Sequence, residues 1–564
     1  MKKLAIWIPL LLVTALTNNM AFAASTEVYV SNSGAGTICS QTQPCASFAN
    51  AVSVVTTRGF GGPGEFSTIT YLNGVYTATG NASAQISLRD ALGTHASAYL
   101  VIRGESWGSP KWSTGCVMMQ GYSEIEIYSE DYVWVDGFYS KNTTSKGARI
   151  DDSSHIKLTR IGFKNCHGWT DNFGSCVEFA SENNNSGTGN DPSTTDSLLE
   201  DIGMFGVFKY GVIFGGTDGY AEHNIARRVY MRWDGSAPTS NPTGGMVNYG
   251  ATTGVLGARN NTIQNLIAID FNPCQSPFYA GGDTCYGASY QPHSATNIDT
   301  FDSIVLNVGA NWRGYMFGED SASNIALYNS VGWGTGNALL FSANTSSSHT
   351  IRGATLHSPA YGDYFNSGTQ RIENTNYYRT EKPRTNAENV EDFNAYTSTG
   401  KPTGVTNSIT LTQNQVYVAS ITQSQLIGTG LNGANVGAVI IKQRGKSGTL
   451  WGEPGWNDLQ TANLWGNGVV ERNFRDLAAM NDEGNAATNN GSNTEARGFA
   501  ADTSSFPVTN YIWTYNGGIC PPEICTDNAS LPPSEGPGGD TNPGVIPRRF
   551  GIDGTMTIRG VSFQ

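Results

Sequence analysis

The chain has 564 residues, of which 68 are glycine and only 14% are charged, and its formal net charge is −13. This acidic balance argues against nucleic acid or an anionic membrane surface as the main partner, because both attract basic proteins. The abundance of Gly, Asn, Ser and Thr favours strands and turns over helices.

The first residues have the pattern of a secretory signal peptide. Met1-Lys2-Lys3 is followed by an apolar stretch from Leu4 to Leu16 and by Ala21-Phe22-Ala23, a small-x-small cleavage site. The apolar stretch is too short to span a bilayer, and no later segment is apolar enough to do so. We therefore expect residues 1–23 to be removed and the mature protein to be periplasmic, cell-surface or extracellular.

The nine cysteines all follow the predicted cleavage point, and eight of them form close pairs. Close pairs in an exported chain are typical of disulfides that close loops, with a metal site as the alternative. Zinc sites favour Cys-x2-4-Cys groups with further ligands nearby, so the spacing favours disulfides. The predicted bonds join Cys39 to Cys45, Cys166 to Cys176, Cys274 to Cys285 and Cys520 to Cys525, and Cys116 is left over.

Residues 24–66 form the first segment of the mature chain. Glu27–Gly34 has the pattern of a strand that ends in Ser-x-Ser-Gly, and Cys45–Val52 has the pattern of a short apolar helix. This combination resembles the start of many secreted right-handed parallel β-helix proteins. The resemblance implies that the helix caps the open end of a stack of coils, which would otherwise expose both the core and the strand edges.

One phrase recurs between Asp131 and Pro359: two apolar residues separated by one, followed by a break rich in Gly or Asn. The first members of the pairs are 23 to 41 residues apart, so the strand repeats while the loops vary. A strand buries every second side chain, and stacked copies can bury faces that a single copy cannot. The predicted inward pairs are Val133/Val135, Ile161/Phe163, Ile202/Met204, Val229/Met231, Ile267/Ile269, Ile304/Leu306, Val331/Trp333 and Ala354/Leu356.

Turns and ends complete the predicted solenoid. Asparagine tolerates left-handed backbone and can stack its amide from coil to coil, and it recurs at predicted turns as Asn224, Asn261, Asn297 and Asn324. The phrase Gln425–Ala438 resembles one with which many β-helix proteins close. We therefore predict an all-β fold, a right-handed parallel β-helix over residues 67–440 with an N-terminal helical cap.

Residues 441–564 differ in composition and are predicted to be a C-terminal cap or accessory region. They contain a predicted helix at Val470–Met480, a Gly/Pro-rich loop at 532–547 and an alternating strand at Thr555–Phe563. Their tryptophans could stack on sugar rings, or they could simply pack a small core.

The inward pairs determine which charged residues face outward together, because neighbours in a strand point to opposite faces. An arginine can bind a uronate carboxylate with two hydrogen bonds, and a lysine or arginine held among other cations can act as a base in β-elimination. Lys209, Arg228 and Arg232 are the candidate bases. The candidate substrate contacts are Arg160, Lys164, Asp201, Phe205, Tyr230 and Asp270.

A set of acids nearby suggests a calcium site. Calcium prefers carboxylate and carbonyl oxygens, which Asp151, Asp152, Asp171 and Glu178 could supply. In architecture the chain resembles pectate lyases and chondroitin lyases of the parallel β-helix type, and this resemblance implies that calcium would neutralise the substrate carboxylate. Alternatively, the charged residues form an ordinary surface ladder and the acids serve turn chemistry.

The function expected from these features is engagement of an extracellular, acidic polysaccharide or cell-surface glycan, with lyase-type cleavage as its enzymatic form. The alternative is a non-catalytic surface or matrix protein, in which the solenoid is a rigid rod and the region after residue 440 mediates attachment.

Overall fold

The computed structural model of the chain describes a series of short segments between residues 26 and 563. Most of them are strands. They are residues 26–60, 66–77, 85–93, 98–105, 117–121, 125–143, 146–166, 175–180, 192–206, 208–215, 220–233, 244–249, 257–269, 288–301, 303–308, 313–316, 322–334, 340–342, 348–358, 364–365, 369–379, 384–385, 388–397, 405, 407–411, 426, 428–438, 556–558 and 561–563.

The described elements are short strands with one α-helix near the start. In chain order they are β1 (Glu27–Val30), α1 (Phe48–Arg58), β2 (Phe66–Tyr71), β3 (Gly74–Thr77), β4 (Ile86–Arg89), β5 (Tyr99–Gly104), β6 (Val117–Gln120), β7 (Ile125–Tyr128), β8 (Val133–Asp136), β9 (Tyr139–Thr143), β10 (Ala148–Asp151), β11 (Ser153–Ser154), β12 (Lys157–Thr159), β13 (Gly162–Cys166), β14 (Ser175–Ala180), β15 (Pro192–Thr195), β16 (Leu198–Gly206), β17 (Tyr210–Phe214), β18 (Tyr220–Glu222), β19 (Ile225–Trp233) and β20 (Gly244–Tyr249). They continue with β21 (Ala258–Arg259), β22 (Thr262–Ile269), β23 (Ala288–His293), β24 (Ala295–Phe301), β25 (Ile304–Val308), β26 (Arg313–Met316), β27 (Ser323–Tyr328), β28 (Val331–Gly334), β29 (Leu340–Ser342), β30 (His349–Arg352), β31 (Thr355–Ser358), β32 (Tyr364–Phe365), β33 (Thr369–Glu373), β34 (Asn376–Arg379), β35 (Arg384–Thr385), β36 (Glu388–Asp392), β37 (Ala395–Thr397), β38 (Ile409–Leu411), a 3-10 turn (Leu431–Gly433), β39 (Met556–Ile558) and β40 (Val561–Phe563).

The strands stack as successive coils, so that each strand pairs in parallel with the equivalent strand of the next coil. Face 1 contains β2, β5, β8, β12, β24, β27, β30, β33, β36 and the first halves of β16, β19 and β22. Face 2 contains β3, β6, β9, β13, β25, β28, β31, β34, β37, β38 and the second halves of β16, β19 and β22; both faces belong to one 27-stranded sheet. Face 3 is an 11-stranded sheet that contains β4, β7, β10, β14, β17, β20, β23, β26, β29, β32 and β35. The predicted parallel β-helix is confirmed.

The inward residues form continuous apolar columns along the solenoid axis. Five of the predicted inward pairs are confirmed, because both members are at most 1% exposed. They are Val133/Val135, Ile161/Phe163, Ile202/Met204, Val229/Met231 and Ala354/Leu356.

The predicted phase is wrong by one residue in β22, β25 and β28. Strand β22 aligns Leu266 with Val229 and Ala268 with Met231, and both Leu266 and Ala268 are fully buried. The inward column then continues through Val305 and Gly332, so the pairs that begin at Ile267, Ile304 and Val331 are not the inward ones. Leu266–Ile269 is apolar at every position, and alternation therefore cannot determine which residues face inward.

The helix α1 covers the first coil as predicted. Ser47 is its N-cap, since the Ser47 hydroxyl accepts a hydrogen bond from the backbone N–H of Asn50 at 3.2 Å. The helix buries Phe48, Ala51 and Val55 in the core that it shares with β1 and β2.

Two of the predicted disulfides are confirmed. Cys39 bonds to Cys45 beside α1, and Cys166 bonds to Cys176, with Cα atoms 4.5 Å and 5.1 Å apart. Such bonds are compatible with an oxidising compartment.

The other two predicted disulfides stay predictions. Cys274 and Cys285, the members of the third predicted bond, both lie outside the described residues. Cys520 and Cys525, the members of the fourth, lie outside them as well, and so does Cys116.

The segment 426–438 ties the last coils together. Leu426 and Val436 pack on Leu411. The backbone N–H of Gly437 donates to the Asn374 carbonyl at 2.7 Å, and that of Ala438 donates to the Thr355 hydroxyl at 2.9 Å. The segment therefore bonds to the β31 and β33 coils, although it follows the last strand of the solenoid, β38, in the chain.

The rest of the C-terminal region is described only at its end. The predicted strand Thr555–Phe563 is instead an antiparallel pair, β39 with β40. The predicted helix at Val470–Met480 and the loop at 532–547 lie outside the described residues. Within the described part, the chain has no helix with the length and apolarity needed to cross a bilayer.

Asparagine amides stack from coil to coil as predicted. The Asn224 side chain accepts from the backbone N–H of Ser197 and donates to the Thr194 carbonyl, both at 3.0 Å, and it is fully buried. At an outer turn, Asn324 donates to Asn297 at 3.2 Å, and both residues adopt a positive φ. The inner amide therefore satisfies buried backbone groups, whereas the outer one bonds at the surface.

Replacing Asn224 with Ala should destabilise the solenoid by about 3 kcal/mol, because a buried N–H and a buried C=O both lose their partner. Replacing Asn324 with Gly, which keeps the left-handed turn, should cost within about 1 kcal/mol. Urea unfolding of the two variants checks the difference. Equal losses would contradict the role given to the inner amide.

A buried histidine makes the fold sensitive to acid. His349 is 2% exposed, its Nδ1 accepts from the backbone N–H of Ile325 at 3.4 Å, and burial lowers the pKa of His349 to about 4. The unfolded chain binds this proton near pH 6.5, so the stability contributed by the neutral ring is present above that pH. It is lost as the pH falls from about 6.5 to 4.

Replacing His349 with Asn keeps an acceptor for Ile325 but removes the titrating ring. The drop in unfolding free energy between pH 7 and pH 4 should then shrink by up to about 3 kcal/mol relative to the wild type. Urea unfolding at the two pH values measures this difference. If the drop in unfolding free energy were unchanged in the variant, His349 would not be a source of the acid sensitivity.

Candidate functional site

Basic residues gather where face 2 ends and face 3 begins. Strand register aligns Lys141 of β9 with Lys164 of β13, then Phe205 of β16 and Arg232 of β19. Phe163 faces inward, so Lys164 points out of the coil, and both lysines are partly exposed. We call the residues Lys141, Lys164, Phe205, Lys209 and Arg232 the corner surface.

Sequence reasoning missed Lys141, although a signal was present. Lys141-Asn142 and Lys164-Asn165 are the same dipeptide on consecutive coils, and both asparagines adopt a positive φ. The Asn165 amide donates to the Asn142 amide oxygen at 2.9 Å. Because β9 lacks the repeated apolar phrase, alternation did not reveal the pair.

Lys209 lies around the corner from this column. It is four residues after Phe205 and immediately precedes β17, and its carbonyl accepts from the backbone N–H of Gly244 at 3.2 Å. The ammonium is 5.5 Å from the centre of the Tyr210 ring. Burial lowers the pKa of Lys209, so its neutral amine is more accessible than that of an exposed lysine.

A buried ion pair links the start of β10 to β14 on face 3. Lys146 Nζ is 3.0 Å from Glu178 Oε1, and each side chain is 7% exposed. The Ser175 hydroxyl donates to the other Glu178 oxygen at 2.9 Å. The disulfide between Cys166 and Cys176 joins β13 to β14 at the same corner. These bonds fix the strand ends that carry Lys164.

The described acids of the predicted calcium set do not fit one shared ion. Asp151 is fully buried and accepts from Arg149 at 2.9 Å, and Glu178 is neutralised by Lys146. Burial and the neighbouring Asp151 carboxylate raise the pKa of Asp152. In the part of the chain that the structure describes, no three His, Cys, Asp or Glu side chains could hold a metal ion. Asp171 lies outside that part.

Arg160 does not belong to an exposed patch, contrary to expectation. It is 1% exposed and donates to both oxygens of Asp136, at 2.7 Å and 2.5 Å. Asp136 also accepts from the Thr159 hydroxyl at 2.7 Å. Arg160 has a φ of 53° and so lies in a turn between β12 and β13. Strand alternation does not extend through such a turn.

The strand register gives the positions of the remaining predicted substrate contacts relative to one another. The Asp201 position lies opposite Arg228, between the aligned pairs Glu200–Arg227 and Ile202–Val229, and Tyr230 aligns with Gly203. Asp270 lies outside the described residues, and the position that aligns with Arg232 on the next coil is Ile269. The inward pair predicted for β22 would instead align Asp270 with Arg232, and this alignment is wrong because the predicted phase is off by one residue.

Comparisons with known proteins agree with the architecture alone. No family model and no curated protein matches the chain. Similar solved structures include pectate lyase Pel9A (12% identity, 74% of this chain and 96% of that chain, TM-score 0.41). They also include the Streptococcus pneumoniae surface protein and adhesin PfbA (10%, 64% and 95%, 0.34) and a rhamnogalacturonan lyase (10%, 72% and 92%, 0.37). At these sequence identities and TM-scores, the likeness does not indicate which residues of this chain are functional.

Replacing Lys146 with Met should destabilise the protein by about 3–5 kcal/mol, because it leaves the Glu178 carboxylate buried without a cation. The double variant Lys146→Met with Glu178→Gln should recover much of this loss, since no unpaired charge remains. Urea unfolding of both variants measures the effect. A double variant as unstable as the single one would show that packing, not charge, fixes the corner.

Proposed function

We propose that the corner surface binds an acidic extracellular polysaccharide and that Lys209 acts as the base of a β-elimination. The observation that carries this proposal is the strand register that aligns Lys141, Lys164 and Arg232 on nearby coils. Lys209 follows the aligned Phe205 position by four residues. The net charge of −13 makes a local basic column unusual on this molecule. It provides a local attraction that the molecule as a whole lacks.

The column suits a polymer that lies along the solenoid axis. Adjacent coils are about 4.8 Å apart, so Lys141 and Lys164 present neighbouring cationic positions, and Arg232 follows two coils beyond Lys164. An arginine can hold a carboxylate with two hydrogen bonds, and a lysine adds a point charge. In the register, the Phe205 position lies between those of Lys164 and Arg232. A chain of uronates supplies carboxylates at successive sugars.

β-Elimination requires a base and a cation beside the substrate carboxylate, and we assign the first role to Lys209 and the second to Lys164 and Arg232. The Lys209 amine would take the C5 proton of a uronate while the electrons of that C–H bond form the C4–C5 double bond. The bond from C4 to the glycosidic oxygen breaks, and the departing oxygen takes a proton from water. Cations at Lys164 and Arg232 would stabilise the negative charge that develops on the carboxylate. No step requires an oxidant or a further co-reactant.

Replacing Lys209 with Arg keeps a positive charge but removes an amine whose pKa is lowered by burial, because a guanidinium does not deprotonate. Cleavage of a uronate polymer should fall about 100-fold or more in kcat, with KM nearly unchanged. The ultraviolet absorbance of unsaturated products measures the rate with polygalacturonate, alginate, chondroitin sulfate and hyaluronate, each with and without calcium. Wild-type cleavage that survives this substitution would remove Lys209 from the mechanism.

Binding is tested separately from cleavage. Replacing Lys141 and Lys164 together with Ala should weaken binding of the same polymers about tenfold or more, and salt should weaken wild-type binding. Arg371→Ala is the matched control, because this exposed cation lies on β33, far along the solenoid. Binding without any unsaturated product would support the non-catalytic surface role. No binding by any of the four polymers would contradict the proposal.

A further inference from the structure

A second surface is built on residues at the start of face 1, in the turns before β8, β12, β16, β19 and β22 and among the first residues of β24 and β27. One residue per coil adopts a positive φ there, and successive coils are linked by hydrogen bonds such as that from the backbone N–H of Tyr132 to the Ser154 carbonyl. We call this series the turn ladder. Its members are Tyr132, His155, Asp196, His223, Asn260, Asn297 and Asn324. It lies at the opposite end of the face 1 and face 2 strands from the corner surface.

Three side chains of the ladder region form a directed hydrogen-bond chain. Ser154 Oγ is 2.5 Å from Asp131 Oδ1 and 2.8 Å from His155 Nδ1. A carboxylate can only accept, so the single hydroxyl proton of Ser154 goes to Asp131. The Ser154 oxygen must then accept from His155, which requires the imidazole proton to be on Nδ1.

The other ring nitrogen is consequently an acceptor. Burial lowers the pKa of His155, with Asp196 and Asp131 opposing this effect, so the ring is neutral near pH 7 and carries one proton. The ring stacks on Tyr132 with centroids 4.5 Å apart and planes at 17°, which fixes its orientation. The ring is half-buried, and within the described residues Nε2 makes no hydrogen bond.

The charges around His155 select the kind of ligand. Asp131 and Asp196 place carboxylates beside the ring on neighbouring coils, and these would repel a uronate. Lys157 adds a positive charge nearby, but it is 6% exposed and its ammonium lies 3.7 Å from the centre of the Tyr99 ring, so it is not directed at a ligand beside His155. The site therefore offers acceptors and negative charge, which match neutral hydroxyl donors.

We propose that His155 Nε2 accepts a hydrogen bond from a hydroxyl of a neutral sugar chain, at a binding site separate from the corner surface. Asp131 and Ser154 are positioning residues, because they act by holding the proton on Nδ1. Sugar hydroxyls are donors as well as acceptors, so they can complete the chain that Asp131 and Ser154 begin. The inference does not depend on the chemistry at Lys209.

The test is selective ¹⁵N labelling of histidine in the full chain, with cellohexaose, xylohexaose and mannohexaose as probes. At pH 7.5 the His155 Nε2 resonance should have the shift of an unprotonated nitrogen and should move saturably with at least one probe. His349 is the matched control: its Nδ1 is the acceptor, so it should show the opposite tautomer and should not respond to any sugar.

Variants separate positioning from packing. Ser154→Ala should give a mixture of the two His155 tautomers and weaken sugar binding about fivefold, within the range for one lost hydrogen bond. Ser154→Thr should restore both readouts, because its hydroxyl can make the same bonds. A protonated Nε2 in the wild type would overturn the inference. So would the absence of any response to about 10 mM neutral sugar, or a response to oligouronates instead.

Discussion

Parallel stacking of equivalent strands is the constraint on which the rest of this molecule depends. Each side chain has as its closest neighbours the residues at the same position on the coils before and after it, about 4.8 Å away. Apolar residues can occupy the same position on any number of successive coils. A charged residue instead needs a neighbour of opposite charge, an amide or an aromatic ring on the adjacent coil. Glu200 and Arg227 are aligned on adjacent strands and form an ion pair, as do Arg352 and Glu373. Function on this scaffold is therefore arranged in columns.

The columns explain how buried and surface charges differ in role. Asp136 with Arg160 and Lys146 with Glu178 are nearly inaccessible, and each pair is complete within the solenoid. Lys141 and Lys164 are like charges aligned on adjacent coils, and like charges directly opposite each other repel. A polyanion lying across the corner surface, as proposed above, would offset this repulsion.

Much of the fold could be predicted from sequence because a strand has a period of two and a coil repeats. The helix α1, two disulfides, the stacked asparagines and five inward pairs followed from local chemistry that the stack does not alter. The phase in β22 did not follow, because Leu266–Ile269 is apolar on both faces. Arg160 did not follow either, because a left-handed turn interrupts alternation. Lys141, Ser154 and His155 depend on which turns become neighbours, and that is determined by loop lengths that vary from coil to coil.

The segment 426–438 has a mechanical consequence. A stack of parallel coils that is pulled from its end yields by peeling, one strand at a time, because each hydrogen-bonded pair is loaded in turn. The bonds from Gly437 to Asn374 and from Ala438 to Thr355 bypass the terminal strands β37 and β38. Tension that arrives from beyond Ala438 therefore enters the solenoid at the β31 and β33 coils, where it is shared between them, and the last strands are spared from peeling.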